Sequence, residues 1–494
     1  MTILSVDAGT TGVTALIVDH DGKIVSRGYC EFPQHFPSEG WVEHDPEEIW
    51  SATLVAVNTA LTALPSSVER PTAVGITNQR ETIVLWDRQT LQSPRRAIVW
   101  QDRRTAGICD QLRADGNEPR IAALTGLRLD PYFSATKLSW IHLNEPGVWA
   151  DIAAGKTAVG TVDSYLIARM TAGEKHITDA SNASRTLLFN IHDGVWSDEL
   201  CALFRVPIEC LPTVVSSYGI VAQTDPAAFA GLAIPVAGIA GDQQSALFGQ
   251  ACFDVGTSKC TYGTGSFVLV NTGNKPVASS TGLLTTIAWQ EPGGTRVYAL
   301  EGAVFVTGAA IQWLRDGLGI IESAGETDAL ARSVADSGGV VFVPALTGLG
   351  APDWDPHARG TIIGLTRGTT RAHIVRATLE AIAYEVGDVI TLMMREGGVS
   401  VPALRVDGGA AANNFLCEVQ ATTLGVPVQR AAALETTGLG AAFLAGLGTG
   451  FWASLESISE LVRSADTFDP GARDERVQQR WRAAVERSKG WAVI

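Results

Sequence analysis

A chain of 494 residues is too long for a single hydrophobic core, so two or three domains are expected. With 46% hydrophobic and 18% charged residues it is not a disordered chain. A formal net charge of −15 argues against nucleic acid or an anionic membrane surface as the main partner, since phosphate-backbone binding needs an excess of Lys and Arg. No uncharged apolar run reaches the length of a membrane span, and the start, Met-Thr-Ile-Leu-Ser-Val-Asp, has no basic region ahead of Asp7. The 7 Cys show neither Cys-x-x-Cys nor zinc-ligand spacing. The expectation is a cytoplasmic protein with reduced thiols and no membrane insertion.

The first elements read as three strands. Ile3 to Val6 is apolar and stops at Asp7, Val13 to Val18 returns, and Lys23 to Phe32 follows the His20-Asp21-Gly22 turn. The first turn, Ala8-Gly9-Thr10-Thr11-Gly12, combines glycines that let a ligand approach the backbone with two hydroxyls beside the amide hydrogens. It would hold phosphate, and Asp7 at its entrance would hold the accompanying Mg²⁺, directly or through water. The same residues also suit an ordinary glycine hairpin. Asp45-Pro46-Glu47-Glu48 opens a helix to about Leu64: an N-cap, Pro at the first position, then acids on the helix dipole. Strands follow at 72–77, 83–87 and 97–100. Between the first two, Asn78-Gln79-Arg80-Glu81 offers donors and an acceptor suited to a neutral polyol; otherwise it is a surface turn with a local ion pair. Trp100 ends the third strand, and Tyr132-Phe133 leads into a helix from Ala135 to Asn144.

Gly155-Lys156-Thr157 resembles the end of a P-loop. The glycine needed five residues earlier is Ala150, and a strand rather than a helix follows, so that reading fails. A short strand, Val236 to Ala240, then turns at Gly241 into a helix opening at Asp242. Ligands of open α/β sheets bind at such strand ends, where Asp242 is either a helix N-cap or a base for a substrate hydroxyl. Residues 258–270 repeat the first hairpin around Gly263-Thr264-Gly265, and Gly408-Gly409 follows the strand Leu404 to Val406, ahead of a helix near Asn413. Two such hairpins half a chain apart point to an internal duplication around a shared cleft. Helices are expected at 307–317, 326–336, 371–395, 436–447 (rich in small residues) and 473–488, the last folding back onto the second half, and a strand at 340–343. The domain junction falls near 246–256, giving domains 1–250 and 251–494.

Taken together, five stretches carry a resemblance. They are Tyr132 to Trp140; Gly360 to Leu365 with His373-Ile374 and Ala377 to Glu380; Gly75 to Thr82; Gly40 to Pro46; and Gly238 to Gln244. The chain resembles the FGGY carbohydrate kinases from about Ile3 to Gly448, most of all their glycerol kinase branch. The resemblance implies an α/β fold of two duplicated actin-like (ribonuclease H-like) ATPase domains with a ligand cleft between them. It implies polyol binding by Arg80, Glu81, Tyr132, Asp242 and Gln243, with Trp100 and Phe267 as the apolar wall. Nucleotide would meet Thr10, Thr11, Thr264, Gly308, Gln312, Gly409 and Asn413, and Asp7 would serve the metal. The implied reaction is ATP- and Mg²⁺-dependent phosphorylation of glycerol to sn-glycerol 3-phosphate, with Asp242 as general base; homo-oligomerisation is left open. A kinase for another small polyol or ketose, such as erythritol or xylulose, is the alternative, and a non-catalytic nucleotide-binding regulatory scaffold a more distant one. Three departures stand out. Thr14 replaces an Arg expected to meet nucleotide phosphate, and Asp353 replaces a Tyr. The stretch Thr224 to Gly231 lacks the Gly run and Arg of the loop that binds fructose 1,6-bisphosphate, so insensitivity to that bisphosphate is expected.

Overall fold

The computed structural model describes residues 1–493. The opening strands form an antiparallel meander, Thr2–Ala8, Gly12–Val18 and Ile24–Glu31, with Gly9 N donating to Gly12 O across the first turn at 3.0 Å. Pro71–Asn78 and Pro235–Gly241 add in parallel on the Thr2–Ala8 side, and Tyr218–Gln223 closes the six-stranded sheet antiparallel. The inner parallel strands are nearly continuous apolar runs because both faces of the sheet are covered.

The second half repeats this plan. Ser258–Tyr262, Ser266–Gly273 and Arg296–Val304 form the meander, and Leu404–Asp407 and Val428–Ala431 add in parallel beside Ser258–Tyr262. Leu284–Gln290 and Ser464–Phe468 complete a seven-stranded sheet. The hairpins at Gly9 and Gly263 therefore hold equivalent places in two sheets, as the repeated motif predicts.

The helix at Thr436–Thr449 ties the halves together. It packs on Pro71–Asn78, Pro235–Gly241 and the helix Asp242–Gly249. Its small residues are needed for this approach. A Cβ on Gly440 would stand 1.8 Å from Ser245 O, and one on Gly75 would stand 2.0 Å from Ala441 O. A boundary at residue 250 thus separates the two sheets, although residues 436–449 lie on the first of them.

The 27-residue helix Arg371–Gly397 backs the second sheet. The C-terminal helix Glu475–Ser488 folds onto it, burying Trp481, whose Nε1 donates to Asp388 Oδ2 at 2.7 Å. Asp353 has a structural part here: it pairs with Lys489 Nζ at 2.7 Å, while Asp355 Oδ2 accepts from Gly490 N at 2.8 Å, so this loop holds the end of the last helix. All seven cysteines are free thiols, and among the described residues no helix is long and apolar enough to cross a membrane.

Candidate active site

The first hairpin is pinned from three sides. Gln79 Nε2 donates to Gly9 O at 3.0 Å, Gln34 Nε2 to Thr10 O at 2.7 Å, and the Trp100 indole to Thr10 Oγ1 at 3.0 Å. His44 braces two of these groups, standing 2.7 Å from Gln34 Oε1 and 3.2 Å from Gln79 Nε2. The hydroxyls and amides of Thr10 and Thr11 are thereby presented on a fixed loop. Asp7 is the penultimate residue of Thr2–Ala8, just before this turn and opposite Thr14 in the register. Burial first, then the nearby Asp242 and Glu435 carboxylates, raise it to about 8.

The polyol residues expected from the sequence converge at the ends of Pro71–Asn78 and Pro235–Gly241. The cap of the Asp242–Gly249 helix is Gly241; Asp242 is the first helical residue, partly exposed, and its Oδ1 lies 3.0 Å from Arg80 Nε. Its role as the N-cap does not hold. Nor is Arg80-Glu81 a surface turn: both are buried, and their direct contact is only 3.9 Å. Glu81 instead accepts from Arg185 Nε at 2.7 Å, and Arg80 forks onto Glu301 at 2.6 and 3.0 Å. Burial alone would raise Glu301, but Arg185 and Arg80 outweigh it and hold it at about 2. Burial raises Glu81 despite the same two cations, so its carboxylate is the better proton acceptor of the pair. Glu81 also sits at φ 62, a left-handed backbone uncommon for a residue with a side chain.

The strand expected at 97–100 stops at Ile98, because Asp102 N turns back to Val99 O at 3.0 Å. Trp100 is therefore free to set its ring edge-on to Tyr132 at 5.5 Å, and Phe267 lies 6.0 Å from the Arg80 guanidinium carbon. Gln243 Oε1 accepts from Lys259, a buried lysine of the second sheet that also donates to Thr261 Oγ1 at 3.0 Å. With Oε1 taken, the Gln243 amide presents its NH₂ group as a donor.

The other nucleotide candidates lie on the second lobe, Thr10 and Thr11 being on the first hairpin. Thr264 is exposed at the hairpin tip, and its carbonyl accepts from Thr307 N at 2.8 Å and Ala309 N at 3.1 Å, joining the hairpin to the helix Gly308–Asp316. Gly308 approaches Gly263 O so closely that a Cβ would stand 2.7 Å away, and Gln312 is exposed one turn on. Gly409 is exposed, with open space where a Cβ would stand. Asn413 caps Asn414–Leu424, its Oδ1 accepting from Leu416 N at 2.8 Å and its Nδ2 reaching Thr327 Oγ1 at 2.9 Å, so its side chain is already engaged.

Two family models cover nearly the whole chain: the FGGY family of carbohydrate kinases, N-terminal domain, over residues 2–249, and its C-terminal domain over 258–449. The chain belongs to the FGGY carbohydrate kinases. Among its relatives are the glycerol kinase of Aromatoleum aromaticum, 53% identical over 99% of both chains, and glycerol kinase 2 of Thermotoga maritima, 52% identical over 99% of both. The structure of Plasmodium falciparum glycerol kinase with ADP superposes at a TM-score of 0.91 and 35% identity, covering 99% of this chain and 98% of that one. As an FGGY kinase the chain has the α/β two-domain fold expected of it. Arg185, Glu301 and Lys259 were not picked out from the sequence. The signal present was a lone charge inside an apolar strand, as in Ala299-Leu300-Glu301-Gly302-Ala303.

Proposed function

We propose that this FGGY kinase transfers the γ-phosphoryl group of ATP to the terminal hydroxyl of glycerol, giving sn-glycerol 3-phosphate and ADP. The observation that carries the reading is the group at the strand ends: Arg80, Glu81, Tyr132, Asp242 and Gln243 beside the Trp100 and Phe267 rings. It matches a three-carbon polyol, with polar groups for its hydroxyls and an apolar wall for its carbons. Full-length similarity to glycerol kinases supports the same substrate.

Asp242 accepts the hydroxyl proton as the oxygen attacks phosphorus in line. Gln243 donates to a substrate oxygen, and Glu81 and Tyr132 orient the other hydroxyls. Backbone amides of the Gly9–Gly12 and Gly263–Gly265 turns meet the phosphates, with Thr10, Thr11, Thr264, Gly308, Gln312, Gly409 and Asn413 placing the nucleotide. Asp7 would hold Mg²⁺, directly or through water, and the ion would neutralise charge on the transferring group. The residues fit it: Asp7 is a buried carboxyl near the Asp242 and Glu435 carboxylates, and one or two carboxylates plus substrate phosphates is the usual Mg²⁺ arrangement of kinases.

The test is ADP release with Mg·ATP across glycerol, erythritol, dihydroxyacetone and xylulose, with a no-polyol control. Glycerol is expected to give the highest kcat/KM, and fructose 1,6-bisphosphate no inhibition. A preference for another polyol would move the specificity, and no polyol-dependent turnover at all would overturn the kinase reading.

A further inference from the structure

The polyol-facing polar residues all come from the first lobe, yet the charges that hold them come partly from the second. Glu301 lies on Arg296–Val304, next to the edge strand of the second sheet, flanked by Leu269 on one side and Leu284 on the other. It is 1% exposed, and both its oxygens are committed to first-lobe guanidiniums. Oε2 accepts from Arg80 Nη1 at 2.6 Å, while Oε1 accepts from Arg80 Nη2 and from Arg185 Nη2, each at 3.0 Å. Arg185 then passes the constraint on through Nε to Glu81 Oε1 at 2.7 Å. With Asp242 3.0 Å from Arg80 Nε, the group holds two guanidiniums and three carboxylates.

The arrangement gives direction rather than stability. A buried ion pair contributes little net stability, because desolvation offsets the attraction. A bidentate fork does fix the plane of a guanidinium. With the fork of Arg80 on Glu301, its Nε is held 3.0 Å from Asp242 Oδ1. The two glutamates are not equivalent. Glu301 spends both oxygens on Arg80 and Arg185, whereas Glu81 spends only Oε1, which leaves Oε2 for a ligand. Lys259 repeats the logic on a smaller scale, since a second-lobe cation orients the Gln243 amide of the first lobe.

We propose that Glu301 is a positioning residue for polyol recognition: from the second lobe it fixes Arg80 and, through Arg185, Glu81, so that the polyol pocket is complete only when the lobes are in this register. The proposal rests on the polyol kinase reading. It makes polyol affinity a property of the interface between lobes, although no second-lobe carboxylate need touch the substrate.

The experiment compares full-length wild type, Glu301→Gln, Arg185→Gln and the double variant, using the polyol that the wild type turns over best. KM for polyol, KM for ATP and Tm are measured for each. Glu301→Gln is expected to raise the polyol KM about 10- to 100-fold, as a small misplacement of a positioning group does, with ATP KM within about twofold. Its Tm falls, because two buried guanidiniums then lose the one carboxylate that pairs with both. The double variant removes one cation and one anion together and so restores the net charge of the cluster; Tm then recovers toward wild type while the polyol KM stays raised, Arg80 still lacking its fork. A wild-type polyol KM in Glu301→Gln would overturn the proposal. So would a double variant whose KM recovers together with Tm, since that is the mark of a merely structural charge pair. If Glu301→Gln does not fold, the double variant decides by the same criterion. If the wild type turns over no polyol, the kinase reading falls instead, and glycerol affinity by calorimetry on the same four proteins decides the positioning role.

Discussion

Trp100 links the proposed polyol site to the first hairpin. Its ring packs against Tyr132 on the polyol side, while its indole N–H holds Thr10 on the phosphate hairpin. Trp100→Phe keeps an aromatic wall and deletes the hydrogen bond. KM for ATP should rise about 2- to 10-fold, the worth of one hydrogen bond, while KM for glycerol changes little; separate KM determinations check this, and an unchanged ATP KM would contradict it. At this scale the sequence was readable where chemistry is local. Asp7 and Asp242 announce themselves because apolar strands stop at them. The adjacent Arg80-Glu81 pair was visible too, but its true partners were not: Glu301 is 221 positions from Arg80. Nothing local tells a buried lone carboxylate which distant strand end it faces.

The small-residue helix Thr436–Thr449 and the pinned hairpin show how elements set the site. The helix meets Asp242–Gly249 with backbone against backbone, so Gly440→Ala has no side chain to push aside. It should cost about 1–3 kcal/mol or more, read as a lower urea midpoint. Gly107→Ala in the exposed helix Ala106–Ala114, where a Cβ meets nothing within 4 Å, is the control and should be neutral or stabilising by up to about 1 kcal/mol. The helix's composition foretold close packing. Its target, the first sheet, was not legible, because an apolar small-residue surface carries no address.

The hairpin depends on His44, fully buried between Gln34 and Gln79. Burial first, and His35 second, push it down to about 4 from an ordinary 6.5. A histidine held below its unfolded value contributes stability above pH 6.5 and loses it as pH falls from 6.5 toward 4. Its share of the loss should reach about 2 kcal/mol by pH 5. Urea unfolding at pH 7 and pH 5 should therefore show a steeper decline in wild type than in His44→Gln. The comparison cancels the opposite contribution of Asp7 and Glu385, both raised to about 8. Equal slopes would mean that His44 titrates normally.

For the whole molecule, two lobes followed from chain length and from the repeated glycine hairpin, and the sheets bear out the repeat. How the lobes meet did not follow, because that contact is made by buried charges and a helix that crosses back, both non-local. The consequence is functional: a pocket assembled from both lobes can shield the transfer from water, so ATP should be hydrolysed only slowly without polyol. The proposed role of Asp242 is to take the proton of a glycerol hydroxyl while other residues hold ATP. Its most direct test is Asp242→Asn, with glycerol-dependent ADP release and ATP affinity measured side by side. The substitution should lower kcat by about 10²–10⁴-fold with ATP affinity preserved. Turnover near wild type, or a loss of ATP affinity in place of turnover, would contradict it.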